Sequence, residues 1–261
     1  MTVEVPHESA PLDSGAAIPL LGFGTWQITG PEAQDAVGWA LDVGYRHLDT
    51  ATVYGNEKEV GAALSASGVA RDDVFITTKC PPTKAGRELE TLQARLAALR
   101  TDRVDLWLIH WPGGGSDIAL WSALVEARDA GLARDIGVSN FSLTQLDELV
   151  EATGVRPAVN QIEWSPLIFD RALLDGHRDR GVVLEGYSAL RGGTMEHPVI
   201  TDIATRHDRT PAQVIIRWHL QHSVVVIPKS VRQDRIRSNA DVAGLQLTED
   251  DMAALDSLGK G

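Results

Sequence analysis

Strand-like and helix-like patterns alternate along the whole chain, and this restricts the fold more than any other feature of the sequence. Short runs rich in β-branched residues occupy positions 21–25, 45–49, 74–79, 104–109, 135–138, 159–163, 182–187 and 224–227. Between them apolar residues recur at three- and four-residue spacing, the mark of helices with one buried face. Residues 88–96 form one such stretch, and residues 143–150 another, with Ser142 placed to cap its start. Eight strands, each followed by a helix, predict an α/β fold of the (β/α)8 TIM-barrel type. The rival is a doubly wound open sheet. No Gly-x-Gly-x-x-Gly follows any strand, which removes its usual dinucleotide-binding version. Residues 11–19 contain a Gly turn and predict an N-terminal β-hairpin lying across the other end of the barrel. Residues 249–255 predict one of the extra helices at the C-terminal end. No linker, charge block or low-complexity stretch divides the 261 residues, so residues 1–261 read as a single domain.

Charge and cysteine usage narrow the function classes. Acids outnumber bases 36 to 24, a net charge of -12, which argues against a general nucleic-acid or anionic-membrane binder. Cys80 is the one cysteine, so an intrachain disulfide and a Cys-rich zinc site are excluded. His7, His47, His177, His197, His207, His219 and His222 show no clustered metal spacing, and no metal is expected. Residues 1–8 are polar and acidic, without the apolar core of a leader peptide, and no apolar run approaches the ~18 residues of a membrane span. The expectation is a cytoplasmic monomer acting on a small molecule.

Four polar residues stand at strand ends. Asp49 closes the second run, Lys79 the third and His110 follows the fourth; Tyr54 lies five residues beyond Asp49 in a loop. Strand C-termini of a parallel barrel converge on one rim, where barrel enzymes place their chemistry. A phenol, a cation to tune it, a carboxylate to hold the cation and an imidazole make up machinery for protonating an oxygen. The competing reading of Asp49 and Lys79 is an internal ion pair and nothing more.

Larger motifs sharpen this. Residues 44–51, Gly-Tyr-Arg-His-Leu-Asp-Thr-Ala, precede Tyr54-Gly55-Asn56-Glu57 and Val60-Gly61. Residues 227–230, Ile-Pro-Lys-Ser, precede Arg235 and Ser238-Asn239. Between these blocks, in order, come Gly22-Phe23-Gly24-Thr25-Trp26, Leu108-Ile109-His110-Trp111-Pro112, Gly137-Val138-Ser139-Asn140-Phe141 and Asn160-Gln161-Ile162-Glu163. Six blocks in register resemble the aldo-keto reductase family over nearly the whole length. The resemblance implies an NADPH-dependent carbonyl reductase, with Tyr54 as general acid. A free tyrosine has a pKa of ~10 and is a reluctant donor; a neighbouring ammonium stabilises the phenolate and lowers that value. Lys79 is expected to supply the ammonium, with Asp49 keeping it charged and aimed. Such a contact is worth ~4 kcal/mol at about 4 Å and an effective dielectric of ~20. His110, with an ordinary pKa of ~6.5 and lower beside a lysine, is expected to orient the carbonyl as a neutral donor.

The same resemblance places the coenzyme, NADPH or NADP+. It makes Ser139, Asn140 and Gln161 partners of the nicotinamide carboxamide and stacks Tyr187 under the ring. Gly24, Thr25, Ser188 and Leu190 fall in the same site, with small residues around 188–193 suiting backbone approach to a pyrophosphate. Lys229, Ser230, Val231, Arg235 and Asn239 read the adenosine phosphate. A 2′-phosphate carries nearly two charges and suits a guanidinium fork such as Arg235. In so acidic a chain Lys229, Arg232, Arg235 and Arg237 make a local basic island favouring NADPH over NADH. Trp26 and Trp111 are expected pocket walls.

Departures from the family pattern leave the substrate open. Cys80-Pro81-Pro82-Thr83 replaces a longer aromatic segment, Ser165 stands where a His is frequent, and Ala189 where a Pro is common. Only residues 113–116 join the fourth strand region to its helix, and the chain stops soon after the last helix. These features predict a shallow pocket framed by Trp26, Tyr54, Trp111 and the 80–82 turn. Two other readings remain: a Schiff-base lyase with Lys79 as nucleophile, and a catalytically weak NADPH-binding regulatory module.

Overall fold

The computed structural model describes residues 3–259. A two-stranded antiparallel hairpin, β1 (Ser9–Pro11) and β2 (Ala17–Pro19), turns at Gly15, whose φ of 84° lies in the left-handed region open to glycine. Eight parallel strands follow: β3 (Phe23–Gly24), β4 (His47–Asp49), β5 (Phe75–Cys80), β6 (Val104–Ile109), β7 (Ala133–Ser139), β8 (Val159–Glu163), β9 (Val183–Tyr187) and β10 (Val225–Val226). They pair in chain order from β3 to β10. The ring closes where Leu21 bridges Val226 and the Gly22 and Gly24 amides donate to the Val226 and Pro228 carbonyls at 2.9 and 3.2 Å. The (β/α)8 barrel expected from the alternation is the fold.

Helices α1 (Gly30–Val43), α2 (Glu57–Ser67), α3 (Glu88–Leu99), α4 (Asp117–Asp129), α5 (Leu143–Thr153) and α6 (Arg171–Asp179) each follow one strand. Two helices, α7 (Pro198–Arg206) and α8 (Pro211–Gln221), follow β9; α9 (Gln233–Ala240) and the extra α10 (Glu249–Asp256) follow β10. Ser142 caps α5 as its sequence position predicts, in a reciprocal box with Gln145. The hairpin floors the barrel: the Ser14 hydroxyl donates to Asp135 near the start of β7, and the Pro19 carbonyl meets the His47 ring.

Alternation along the strands divides side chains between the apolar layer under the helices and the barrel axis. Thr78 faces outward and donates to Glu57 on α2 at 2.6 Å, while Arg95 on α3 reaches the other Glu57 oxygen at 3.2 Å. Gln161 on β8 reaches Asp49 on β4, and Glu185 on β9 lies 4.0 Å from His47 on β4, across strands that are not sheet neighbours. These side chains therefore face the axis, and Thr77 and Lys79, bonded to His47 and Asp49, face it with them. The interior is polar at the level where the site lies.

Close helix packing explains a glycine. A methyl group on Gly61 would lie 2.6 Å from the Leu99 carbonyl at the end of α3. Gly61→Ala must therefore push α2 away from α3, an overpacking cost of ~1–3 kcal/mol. Its melting temperature should fall by ~2–4 °C per kcal/mol lost. A melting curve superimposable on wild type would show that the helices part without cost.

Candidate active site

At the C-terminal rim the loop after β4 carries Tyr54 over the barrel mouth. Asn56 pins that loop: fully buried, it accepts from the Thr50 hydroxyl and donates to the Thr25 and Ile28 carbonyls, each at 2.8 Å. Below it, Lys79 is completely buried and its three ammonium hydrogens meet three oxygens. These are Asp49 Oδ1 at 2.7 Å, Oδ2 at 2.8 Å and the Thr50 carbonyl at 2.9 Å. Burial alone would lower the Lys79 pKa, but the Asp49 carboxylate, with smaller contributions from Tyr54 and Glu185, holds the ammonium above the ordinary lysine range. Lys79 Nζ lies 5.1 Å from the centre of the Tyr54 ring, and the His110 ring meets that ring edge-on at 5.8 Å. The four residues expected to act together stand together.

Their electrostatics differ from expectation in one respect. Burial pushes the Tyr54 phenol up, and Lys79 offsets only part of that rise. The expected net lowering is absent because desolvation of a half-buried phenolate outweighs one ammonium. Tyr54 thus rests fully protonated, and Lys79 acts on the phenolate once it forms. Burial, reinforced by Lys79, pushes His110 down to about 4, so its ring is neutral at neutral pH.

Beside this group opens a cavity of ≈ 500 Å³. Of the residues expected at the coenzyme, Gly24, Ser139, Asn140, Gln161 and Tyr187 line it, as do Ser188, Leu190 and Lys229. The Tyr187 hydroxyl donates to Asn140 Oδ1 at 2.7 Å; Asn140 Nδ2 donates to Ser139 Oγ at 2.9 Å; Ser139 Oγ donates to the Gln161 carbonyl at 2.8 Å. Gln161 Nε2 donates to Asp49 Oδ2 at 2.9 Å, joining this strip to the acid group. Asn140 and Ser188 have φ of 66° and 57°. Left-handed non-glycine residues cost ~1–3 kcal/mol and gather at functional sites.

Other expected residues lie elsewhere. The Thr25 side chain is committed to the Asp49 carbonyl at 2.9 Å and is fully buried. Ser230, Val231, Arg235 and Asn239 lie outside the cavity lining, on and before α9, with Arg235 exposed and Asn239 buried. The basic island is smaller than its sequence suggests, because Arg232 pairs with Asp234 at 2.6 Å. Lys229 and Arg235 form no ion pair among the described residues. The 80–82 turn does not frame the pocket: Cys80 is fully buried, and burial pushes its thiol up to about 12. Trp26 and Trp111 do line it, 41% and 51% exposed. Arg191 went unassigned from sequence; its guanidinium lies 4.8 Å from the Trp26 ring centre at the pocket wall. The signal was a cation inside an otherwise small-residue run.

A model of the aldo/keto reductase family matches residues 20–260. The chain belongs to this family. An aldo-keto reductase of Mycolicibacterium smegmatis is 44% identical over 255 residues, 96% of this chain and 93% of that protein. A methylglyoxal reductase of Yersinia pestis is 41% identical over 255 residues, 96% of this chain and 92% of the other. The crystal structure of an aldo/keto reductase from Brucella melitensis superposes with a TM-score of 0.94 at 40% identity, covering 99% of both chains. Among the described residues no cluster of three or more ligating side chains could hold a metal, and no helix is long and apolar enough to cross a membrane.

In this aldo/keto reductase the Asp49–Lys79 pair carries a stability test. Lys79→Met leaves Asp49 charged, buried and unpaired, a loss of ~3–5 kcal/mol. Adding Asp49→Leu should recover much of that loss in denaturant titrations. A double variant no more stable than Lys79→Met would mean that the pair's cost lies in packing.

Proposed function

We propose that this family member reduces aldehydes and ketones to alcohols with NADPH, Tyr54 acting as the general acid. The observation that carries the reading is the fully engaged Lys79 ammonium beneath Tyr54, joined through Asp49 and Gln161 to the pocket strip. A hydroxyl and two carboxamides beside the Tyr187 ring suit the amide of a nicotinamide, which also offers one donor and one acceptor. When bound, NADPH supplies the hydride. Tyr54 gives its proton to the carbonyl oxygen, and Lys79, held by Asp49, stabilises the phenolate left behind. Neutral His110 donates a hydrogen bond that orients the substrate oxygen. Lys79 has no free lone pair and its ammonium is held charged, which disfavours the Schiff-base alternative. The activity named for the Yersinia relative makes methylglyoxal the first substrate to try. Reduction of such small carbonyls also suits the apolar, exposed rim of Trp26, Val53 and Trp111.

Tyr54→Phe keeps the ring and removes the proton. Turnover of methylglyoxal with NADPH should collapse by ~10² or more while coenzyme binding persists. Retention of more than half of wild-type turnover would remove Tyr54 from the acid role and revive the idle-module reading.

Arg235→Ala tests the phosphate end. A charge-assisted contact is worth ~1.5–3 kcal/mol, so NADPH should bind roughly tenfold to hundredfold more weakly and NADH almost unchanged. Fluorescence titration with both coenzymes measures this; equal losses would place Arg235 away from the 2′-phosphate.

A further inference from the structure

Below the Asp49–Lys79 pair the barrel axis holds a second carboxyl that the proposed reaction does not use. Glu185 on β9 is completely buried, and neither of its oxygens has a hydrogen-bond partner of good geometry, the Gln161 amide on β8 offering at most a weak one. An ionised carboxylate stripped of water and left unpaired is among the costliest groups a protein can bury. His47 on β4 is the nearest basic group, with Nε2 4.0 Å from Glu185 Oε1, and it too is fully buried.

The partners of His47 decide where its hydrogen lies. Nδ1 meets the Pro19 carbonyl at 3.3 Å, and a carbonyl can only accept, so Nδ1 carries the hydrogen. Nε2 is then a lone pair, accepting from the Thr77 hydroxyl at 3.1 Å. An imidazole nitrogen and a carboxylate oxygen 4.0 Å apart among buried groups repel, and a proton on the carboxyl removes that repulsion. Asp49 and Lys79 face the same space from β4 and β5, Tyr54 from the loop above, and neutral Gln161 from β8; Asp105 on β6 acts on His47. On β10, Val225 stands in register with Glu185 and brings no charge.

We propose that Glu185 is a positioning residue kept protonated beside His47, so that Asp49–Lys79 remains the sole charged pair beneath Tyr54. Burial, with Asp49 adding to it, pushes Glu185 up to about 8, and burial pushes His47 down to about 4. The proton therefore sits on the carboxyl at neutral pH. Above about pH 8 it leaves, and a second negative charge competes for Lys79. The phenolate of Tyr54 then loses part of its stabilisation, and Tyr54 becomes a weaker acid. This consequence rests on the proposed acid role of Tyr54, whereas the protonation of Glu185 does not.

Two measurements on the full chain separate them. With glutamate labelled by carbon-13 at its side-chain carboxyl, one resonance of the wild-type protein should titrate near pH 8 and vanish in Glu185→Gln. Glu57, the other buried glutamate that burial pushes up, is assigned by its loss in Glu57→Gln. Should Glu185→Gln fail to fold, the wild-type titration and the Glu57 assignment still decide the point. Glutamate carboxyls that are all ionised by pH 6 would overturn the proposal. The Tyr54 phenolate, read as the absorbance difference from Tyr54→Phe, should form about one pH unit lower in Glu185→Gln, a tenfold change in proton affinity. NADPH-dependent reduction should decline through pH 8 in wild type and stay flat there in Glu185→Gln. Superimposed phenolate curves would overturn the coupling even if Glu185 is protonated. Absence of any carbonyl reduction, with the resonance and the phenolate shift both present, would sink the reductase reading and leave this one standing.

Discussion

One buried ion pair in the barrel organises the rest of the site. Lys79 and Asp49 are withdrawn from water, and such charges are tolerated only when every donor and most lone pairs are engaged. That demand explains why neighbouring groups converge on them. The Thr50 carbonyl takes the third ammonium hydrogen, the Gln161 amide takes an Asp49 oxygen, and Thr25 binds the Asp49 carbonyl through both its amide and its hydroxyl. Asn56 then fixes the loop bearing Tyr54 to the same turns. Replacing the pair by apolar side chains would build an equally good barrel. What it supplies is a positive charge held beside a phenol without freedom to drift.

The pocket strip and the acid group are parts of one hydrogen-bonded chain. Tyr187, Asn140, Ser139, Gln161, Asp49 and Lys79 follow one another through contacts of 2.7–2.9 Å. Gln161 takes part twice, its carbonyl accepting from Ser139 and its side chain donating to Asp49. Anything that reorders the amides of the strip must therefore alter the solvation of Asp49, and through it the field that Lys79 exerts on Tyr54. Strain at Asn140 is kept at this junction because the hydrogen bonds of its amide nitrogen and side chain over-determine it.

Legibility followed locality. The strands at 104–109 and 159–163 coincide with their sequence boundaries, because each opens on a β-branched residue after a turn and ends where the chain enters the rim loops. The first barrel strand shrinks from 21–25 to two residues plus a bridge, since Gly22 and Gly24 lie against the backbone after β10, where a methyl on Gly24 would sit 2.6 Å from the Ile227 carbonyl. The tetrad was readable because Asp49, Lys79 and His110 stand at strand ends and Tyr54 in the short loop that follows one of them. The direction of the Tyr54 shift was not, because desolvation depends on everything packed around the ring. Arg232 read as a free cation although its partner Asp234 is two residues away, and Cys80 read as part of a pocket turn although it points into the core. Glu185 gave no sign at all: a carboxylate inside a strand usually faces water, and only the closed barrel turns it inward.

Floor and rim divide the work of the pocket. The floor is charged and buried, and its Asp49–Lys79 pair is fully bonded, so the geometry of that pair survives changes above it. The rim consists of Trp26, Val53 and Trp111, between 41% and 59% exposed, with Arg191 laid against Trp26. The connection over residues 113–116 is a single turn and adds no covering loop. Binding energy drawn from distant parts of a substrate can be spent at the reacting bond only when distant contacts exist. Here such contacts are few and apolar, so under the proposed reaction discrimination rests on what meets the floor: the carbonyl oxygen, its immediate substituents, and their fit between Tyr54 and His110. The structure thus sets a buried, charged floor beneath a sparse and exposed entrance.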